Sequence, residues 1–193
     1  GGTLLPPASQ AGGNAKFLLG TDASGRDVLS RTLYGAQVSL LVGLIPTMII
    51  VTIGLLVGLT AGYLGGSVDN VLMRLTDVVY AFPDLLFGII LITALRGSFL
   101  ADAFDGLLLI FVALSIVNWV GIARLIRGQV LALKEKEFIE AARAGGTPTW
   151  RIMVTHLLPN SLAPIIVAAT FAVAGQILTE AVLSYTATGW RAP

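Results

Sequence analysis

Residues 37–64 read QVSLLVGLIPTMIIVTIGLLVGLTAGYL and contain no charged side chain. The hydrocarbon core of a bilayer is about 30 Å thick, and roughly 20 helical residues cross it. A buried helix in a water-soluble bundle rarely runs this far without a polar face. The stretch therefore predicts a membrane-spanning α-helix and favours an all-α transmembrane fold over a soluble bundle.

Three further stretches have the same character. Residues 78–95 carry a single charge, Asp84, residues 106–123 carry none, and residues 161–185 carry only Glu180. One charge at the centre of a spanning helix costs about 2.5–3.5 kcal/mol on insertion scales, so stretches this apolar are typical of bilayer crossings. We expect a polytopic helical bundle with spans at about 37–64, 78–95, 106–123 and 161–185.

The composition agrees with a membrane protein. Hydrophobic residues make up 55% of the chain, charged residues 12%, and the mean hydropathy is +0.87. The net charge of +1 provides no broad basic surface, which argues against nucleic-acid binding. The chain has no cysteine, so it holds no disulfide, thiol nucleophile or iron–sulfur cluster.

Four spans place both chain ends on one side of the membrane and residues 134–160 on the other, with a short link at residues 65–76. Seven basic residues then lie on the side of residues 134–160, and five on the opposite side. Cytoplasmic loops carry the excess of Lys and Arg, which counts most at span ends, where Arg124 and Arg127 stand. We expect residues 134–160 to be cytoplasmic.

Four glycines recur at every fourth position of the first span and the residues after it: Gly54, Gly58, Gly62 and Gly66. This spacing puts them on one face of a helix, where small residues let a neighbouring backbone approach closely in lipid. We interpret them as a helix-packing seam within one subunit. The sequence leaves open the alternative that the same face lines a pathway.

The last span carries one polar stripe. Gln176 and Glu180 are four residues apart, and Ala168 and Ala172 continue the same helical face. Polar groups inside a membrane usually face the protein interior or a water-filled cavity, so both are candidate pathway residues. An equal alternative is that Glu180 lies near the interface and is solvated. Asp84, next to Pro83, marks a helix break near the headgroups.

Residues 134–160 read KEKEFIEAARAGGTPTWRIMVTHLLPN and form the polar segment ahead of the last span. Lys136 and Arg143 are placed to pair with Glu140 on a first short helix. The glycines at 145 and 146 end that helix, and Thr147 with the proline after it predicts the start of a second one. We expect the second helix to close at Leu158-Pro159-Asn160, before the last span begins.

The same segment contains the pattern E-A-A-x3-G-x9-H-x-L-P, carried by Glu140, Ala141, Ala142, Gly146, His156, Leu158 and Pro159. It resembles the EAA loop of ABC importer permeases, and the His before x-L-P is similar to the dipeptide, oligopeptide and nickel branch. An ordinary amphipathic connector lying on the headgroups is the alternative. The resemblance implies a loop that docks a separate ATPase, formed by Glu140, Ala141, Ala142, Gly146, Thr147, Leu158 and Pro159.

A second resemblance covers the amino-terminal arm, with Leu19-Gly20-Thr21-Asp22 and Gly25-Arg26-Asp27-Val28-Leu29-Ser30-Arg31. It is similar to the arm of one permease of peptide and nickel importers. We expect a leader at 1–17, an extracytoplasmic arm with a short amphipathic helix at 18–36, and a permease domain at 37–193. Asp27 and Arg31 are spaced to pair. The family usually has one more helix at each end, so the resemblance implies a truncated chain.

The resemblance implies half of a translocation pathway for peptides or a related small solute, in the inner membrane. The implied partners are a second homologous permease subunit, two cytoplasmic ATPase subunits, an extracytoplasmic solute-binding protein and the lipid bilayer. The chain lacks a G-x-x-x-x-G-K-[ST] motif, so we expect no ATPase site of its own. No cofactor is expected, and His156 as the single histidine predicts no metal site. An ion- or proton-coupled carrier using Asp84 and Glu180, or a non-transporting remnant, is the alternative.

Overall fold

The computed structural model of the chain describes residues 4–95, 97–99 and 107–183, apart from the side chains of residues 84, 85 and 183. These residues form helices, turns and irregular segments, and one isolated β-bridge pairs Thr21 with Asp27. The all-helical fold class is therefore confirmed. The chain divides into two compact units, of which the first ends at Leu41 and the second begins at Val42.

The first unit is the amino-terminal arm and the start of helix α1 (Val28–Leu64). Its turn is built on Asp22, whose carboxylate accepts hydrogen bonds from the backbone N–H of Ser24 at 2.8 Å and of Arg26 at 2.9 Å. The bond from Arg26 is the main reason that the pKa of Asp22 lies below its usual range. Gly25 provides the left-handed residue, at φ +77°, that closes this turn.

Asp27 ends the arm and starts α1. Its carboxylate accepts hydrogen bonds from the backbone N–H of Leu29 at 3.3 Å and of Ser30 at 3.2 Å, as an N-cap does. The predicted Asp27–Arg31 pair is wrong, because Asp27 is used as the cap and Arg31 instead pairs with Asp22. The predicted separate short helix in residues 18–36 is also absent, since α1 continues from Val28 without a break.

In the second unit, α1 is followed by α2 (Gly66–Tyr80) and α3 (Asp84–Leu95). Gly65 and Gly66 both have positive φ, at +66° and +54°, and form the break between α1 and α2. The expected short link at residues 65–76 is therefore mostly helix. The expected span at 78–95 is not one helix, because Pro83 cannot donate a backbone hydrogen bond and separates α2 from α3.

The central element is α4 (Leu107–Leu133), which packs against α2, α3 and the last helix. It extends ten residues past the end that we predicted at 123, because Arg124 and Arg127 continue the helix with their charges paired. The helices after it are α5 (Glu137–Ala144), α6 (Thr149–Arg151), a π-helical segment (Ile152–Leu157) and α7 (Leu158–Leu183).

Within the described residues, three helices are long and apolar enough to cross a membrane: Val28–Leu64, Leu107–Leu133 and Thr149–Val182. The third runs through α6, the π-helical segment and α7 without interruption. The predicted closure at Leu158-Pro159-Asn160 is therefore wrong. By contrast α3 has 12 residues and spans about 18 Å, less than the thickness of a bilayer core.

Candidate functional site

The polar segment 134–160 is held against the membrane helices by three side chains. Ile139, Ile152 and Leu157 are each at most 1% exposed, and they belong to the same apolar cluster as Ile122 and Ile126 of α4. Burying a side chain of this size contributes about 1.5–3 kcal/mol. The segment is therefore a fixed part of the fold.

The outer face of segment 134–160 is exposed. Glu140 and Ala141 are exposed on α5, while Ala142 is half-buried against the apolar cluster. Two large apolar side chains are also exposed: Phe138 at 42% on α5 and Trp150 at 59% on α6. The segment thus presents a small, partly aromatic surface on which Phe138 and Trp150 are partly exposed.

The turn after α5 depends on glycine. The backbone N–H of Gly146 donates to the carbonyl of Arg143 at 2.9 Å, and that of Thr147 donates to the carbonyl of Ala142 at 3.0 Å. Gly146 has φ +77°, a conformation that residues with a Cβ rarely adopt. The predicted N-cap at Thr147 is wrong, because the next helix begins at Thr149 and no side chain caps it.

Arg143 links α5 to the end of α1. Its Nε donates to the Tyr63 hydroxyl at 3.2 Å, and its guanidinium lies 5.0 Å from the centre of the Tyr63 ring. The predicted pairs of Glu140 with Lys136 and Arg143 do not form within 4 Å. Arg143 is drawn instead to the aromatic face of Tyr63, which attracts a cation.

The π-helical segment explains how the helix passes Pro159. The backbone N–H of Leu158 reaches back five residues to the carbonyl of Met153, so the turn before the proline is widened. Pro159 cannot donate, but the side chains of the next two residues bond nearby carbonyls. Asn160 Nδ2 donates to His156 O at 2.6 Å, and Ser161 Oγ donates to Leu157 O at 2.9 Å.

Three of the predicted seam glycines lie against α4. A Cβ added to Gly54, Gly58 or Gly62 would come within 2.6–2.8 Å of Ile122, the Ala123 carbonyl or Val130, which no real Cβ does. Gly66 is not part of this seam, because it stands at the start of α2 with open space around it. The backbone of α1 therefore lies directly against α4 at these three glycines.

Two ion pairs hold α2 to α4. Arg127 binds both carboxylate oxygens of Asp69, through Nε and Nη2 at 2.6 Å each, and Arg124 Nη2 binds Asp77 at 2.6 Å. The Asp69 side chain is 15% exposed and Asp77 is 67% exposed. The hydrogen bonds from Arg127 hold the pKa of Asp69 below its ordinary value. Local sequence patterns predict neither pair, because the partners are far apart along the chain.

The polar stripe of α7 faces the protein interior. Gln176 is 4% exposed and Glu180 is 8% exposed. Gln176 lines a pocket between α1, α4 and α7 together with Ala168 and Ala172, the two small residues of the same stripe. Asp84 begins α3, and its side chain lies outside the described residues.

The fold and the anchored polar segment define a helical membrane protein with a preformed surface ahead of its last spanning helix. Residues 54–192 match the family described as binding-protein-dependent transport system inner membrane component. The chain belongs to this family, and it is a multi-pass component of the inner membrane.

Known relatives agree with this assignment. The oligopeptide transport system permease protein OppC of Haemophilus influenzae is 42% identical over 174 residues, which cover 90% of this chain and 53% of the relative. The dipeptide transport system permease protein DppC of Bacillus subtilis is 42% identical over 189 residues, 98% of this chain and 55% of the relative. OppC of Escherichia coli K12 is 44% identical over 174 residues, with 90% and 55% covered.

The chain spans about half the length of the curated relatives that it matches. The sequence of residues 134–160 and of the arm indicated a resemblance to permeases of the peptide branch. These relatives confirm that resemblance.

Proposed function

We propose that this chain forms half of the translocation pathway of an ATP-driven importer for peptides, as part of its permease subunit. The membership of a binding-protein-dependent transport family supports an importer that receives its solute from an extracytoplasmic binding protein. Relatives named as oligopeptide and dipeptide permeases support peptides as the solute. The other partners are a second permease subunit and two ATPase subunits that supply the ATP-hydrolysing site.

The observation that carries the coupling mechanism is the burial of Ile139, Ile152 and Leu157 in one cluster with α4. A loop attached only at its ends would absorb the displacement of an ATPase that docks on it. This segment passes the displacement on, because packed side chains resist deformation. Movement of Glu140–Thr149 on the cytoplasmic side then shifts α4 and, through the glycine contacts, α1. Such a shift biases one of two arrangements of the spanning helices.

The test uses the conformation of Gly146 in the complete transporter, reconstituted in liposomes. Gly146→Val places a β-branched residue at φ +77°, so we expect ATP hydrolysis to continue with peptide uptake largely lost. Gly146→Asn is the matched control, since Asn tolerates left-handed backbone, and it should retain most of the uptake. Full uptake by the Val variant would contradict the coupling role.

Two further measurements address the partner and the side of the membrane. Replacing Glu140–Thr149 with a Gly/Ser linker should abolish copurification of the ATPase while the chain still inserts. Because the chain has no cysteine, Glu140→Cys introduces a single thiol for labelling in whole cells. We expect an impermeant maleimide to react only after the cells are opened. Labelling from outside would overturn the proposed docking.

A further inference from the structure

A pocket of about 310 Å³ lies between α1, α4 and α7, and no residue of segment 134–160 lines it. Its walls combine small residues, such as Gly121, Ala172 and Gly175, and three larger apolar residues with three uncharged polar residues, Asn118, Gln176 and Thr179. Among the residues that the structure describes, no charged side chain lines it. The volume lies at the lower end of the range of about 300–1,000 Å³ for small-molecule sites, so the pocket fits a part of an extended solute.

The hydrogen bonding in this pocket is incomplete at one position. Asn118 Nδ2 donates to the carbonyl of Leu114, and Thr179 Oγ1 donates to the carbonyl of Gly175, both at 2.9 Å. Gln176 is 96% buried, yet within the described part of the chain its Oε1 has no hydrogen-bond partner. A buried amide oxygen normally has one, because leaving it unpaired costs free energy.

The chemistry of the lining restricts the solute group that would satisfy Gln176. A side-chain amide offers one acceptor and one donor group and carries no charge. Its complement is a second neutral amide that presents N–H and C=O together. A peptide main chain offers this group whatever its side chains are, and the small lining residues leave room for a backbone to approach.

We propose, resting on the peptide import function above, that Gln176 hydrogen-bonds a main-chain amide of the peptide in transit through this pocket. The pocket is a pathway site that reads the peptide backbone, with Asn118 and Thr179 as its neighbouring polar groups. Binding the backbone instead of side chains lets one site pass many peptide sequences.

The test measures uptake by the complete transporter in liposomes, with trialanine and with trialanine methylated at the peptide nitrogen of its second residue as probes. Gln176→Met keeps the length of the side chain and removes its hydrogen bonds. We expect the KM for trialanine to rise about threefold to tenfold, the range for one hydrogen bond. The preference for trialanine over the methylated probe should shrink by the same factor. Gln37→Met, on an exposed face of α1, should change neither quantity.

An equal loss of uptake for both probes would assign Gln176 to packing and overturn the proposal, as would an unchanged KM. If Gln176→Met does not insert, Gln176→Asn, which draws the amide back by one methylene, provides the second variant. An unaltered probe preference in that variant also overturns the proposal. A wild-type transporter without ATP-dependent uptake would instead refute the import function itself, so the two failures are distinguishable.

Discussion

At the scale of single residues, glycine has two separate roles in this chain. In α1 it permits close approach, since Gly54, Gly58 and Gly62 leave no space for a Cβ beside α4. At Gly146 there is space for a Cβ, and glycine is required there because the backbone has φ +77°. The spacing of four predicts the first role, and a glycine after a helical pattern predicts the second.

The first role can be tested with alanine. Gly58→Ala puts a Cβ 2.6 Å from the Ala123 carbonyl, so we expect it to destabilise the folded chain by about 1–3 kcal/mol despite the better helix propensity of alanine. Gly128→Ala, at an exposed position of α4, adds a Cβ with no neighbour within 4 Å and should be neutral or stabilising. Thermal unfolding in detergent measures both, and equal midpoints would contradict close packing at Gly58.

The ion pairs between α2 and α4 predict that the stability of the folded chain depends on pH. The pKa of Asp69 is lower in the folded chain than in the unfolded chain, so its stabilisation is complete at neutral pH. It is lost as the pH falls below the ordinary value of 3.8 through the lower folded pKa. We expect Asp69→Asn to cost about 1.5–3 kcal/mol at pH 7. The difference from wild type should shrink below pH 3.8.

Asp77→Asn is the matched control for this pair. Asp77 is 67% exposed, and an exposed ion pair contributes at most about 1 kcal/mol. The measurement is thermal unfolding in detergent across the pH range. A loss of stability at pH 7 that is as large for Asp77→Asn as for Asp69→Asn would show that burial does not separate the two pairs.

At the scale of elements, α2 is polar towards the protein and apolar outwards. Asp69 pairs with α4 and Thr76 is fully buried, whereas Val71, Leu75 and Val78 are more than half exposed. A helix that faces water has its apolar side towards the protein and its polar side outwards, so α2 shows the opposite pattern. Lipid or a partner subunit fits the outer face.

The sequence predicted the helical class of this fold and much of the candidate site, but not the way its helices connect. Local rules describe neighbours within about one turn, so they place Gly145 and Gly146 at the end of α5. They do not pair Arg143 with Tyr63 or Arg127 with Asp69, because those partners meet only through tertiary packing. Proline rules alone also favour a helix end at Pro159, since they take no account of a widened turn before it.

The π-helical segment predicts an unusual tolerance to deletion. A π-turn accommodates one extra residue, so deleting Thr155 should convert Ile152–Leu157 to α-helix with both buried end residues still on one face. Deleting Thr170 within α7 instead rotates the two parts of that helix by about 100° relative to each other. We expect the first deletion to keep the folded yield in detergent and the second to lose most of it. Equal losses of folded yield would argue that the π-helical segment does not accommodate an extra residue.

At the scale of the whole molecule, the exterior is apolar over much of its length. Met48, Phe171 and Leu178 are each about 70% exposed or more, which fits contact with lipid and with further protein. Among the described residues, one carboxylate lies within the helices that can cross a membrane. This carboxylate is Glu180, which is 8% exposed, and an ion-coupled carrier would need a buried titrating group of this kind.

The energy source therefore separates an importer from a carrier. In a proton- or sodium-coupled carrier, Glu180→Gln removes the group that binds the driving ion, and uptake is lost. In an ATP-driven importer the same change removes a charge that the energy supply does not use. We expect the variant, alone or with Asp84→Asn, to retain uptake that requires ATP inside the liposome. Ionophores that collapse the proton and sodium gradients should leave this uptake intact, and uptake that follows those gradients would assign the chain to the carriers.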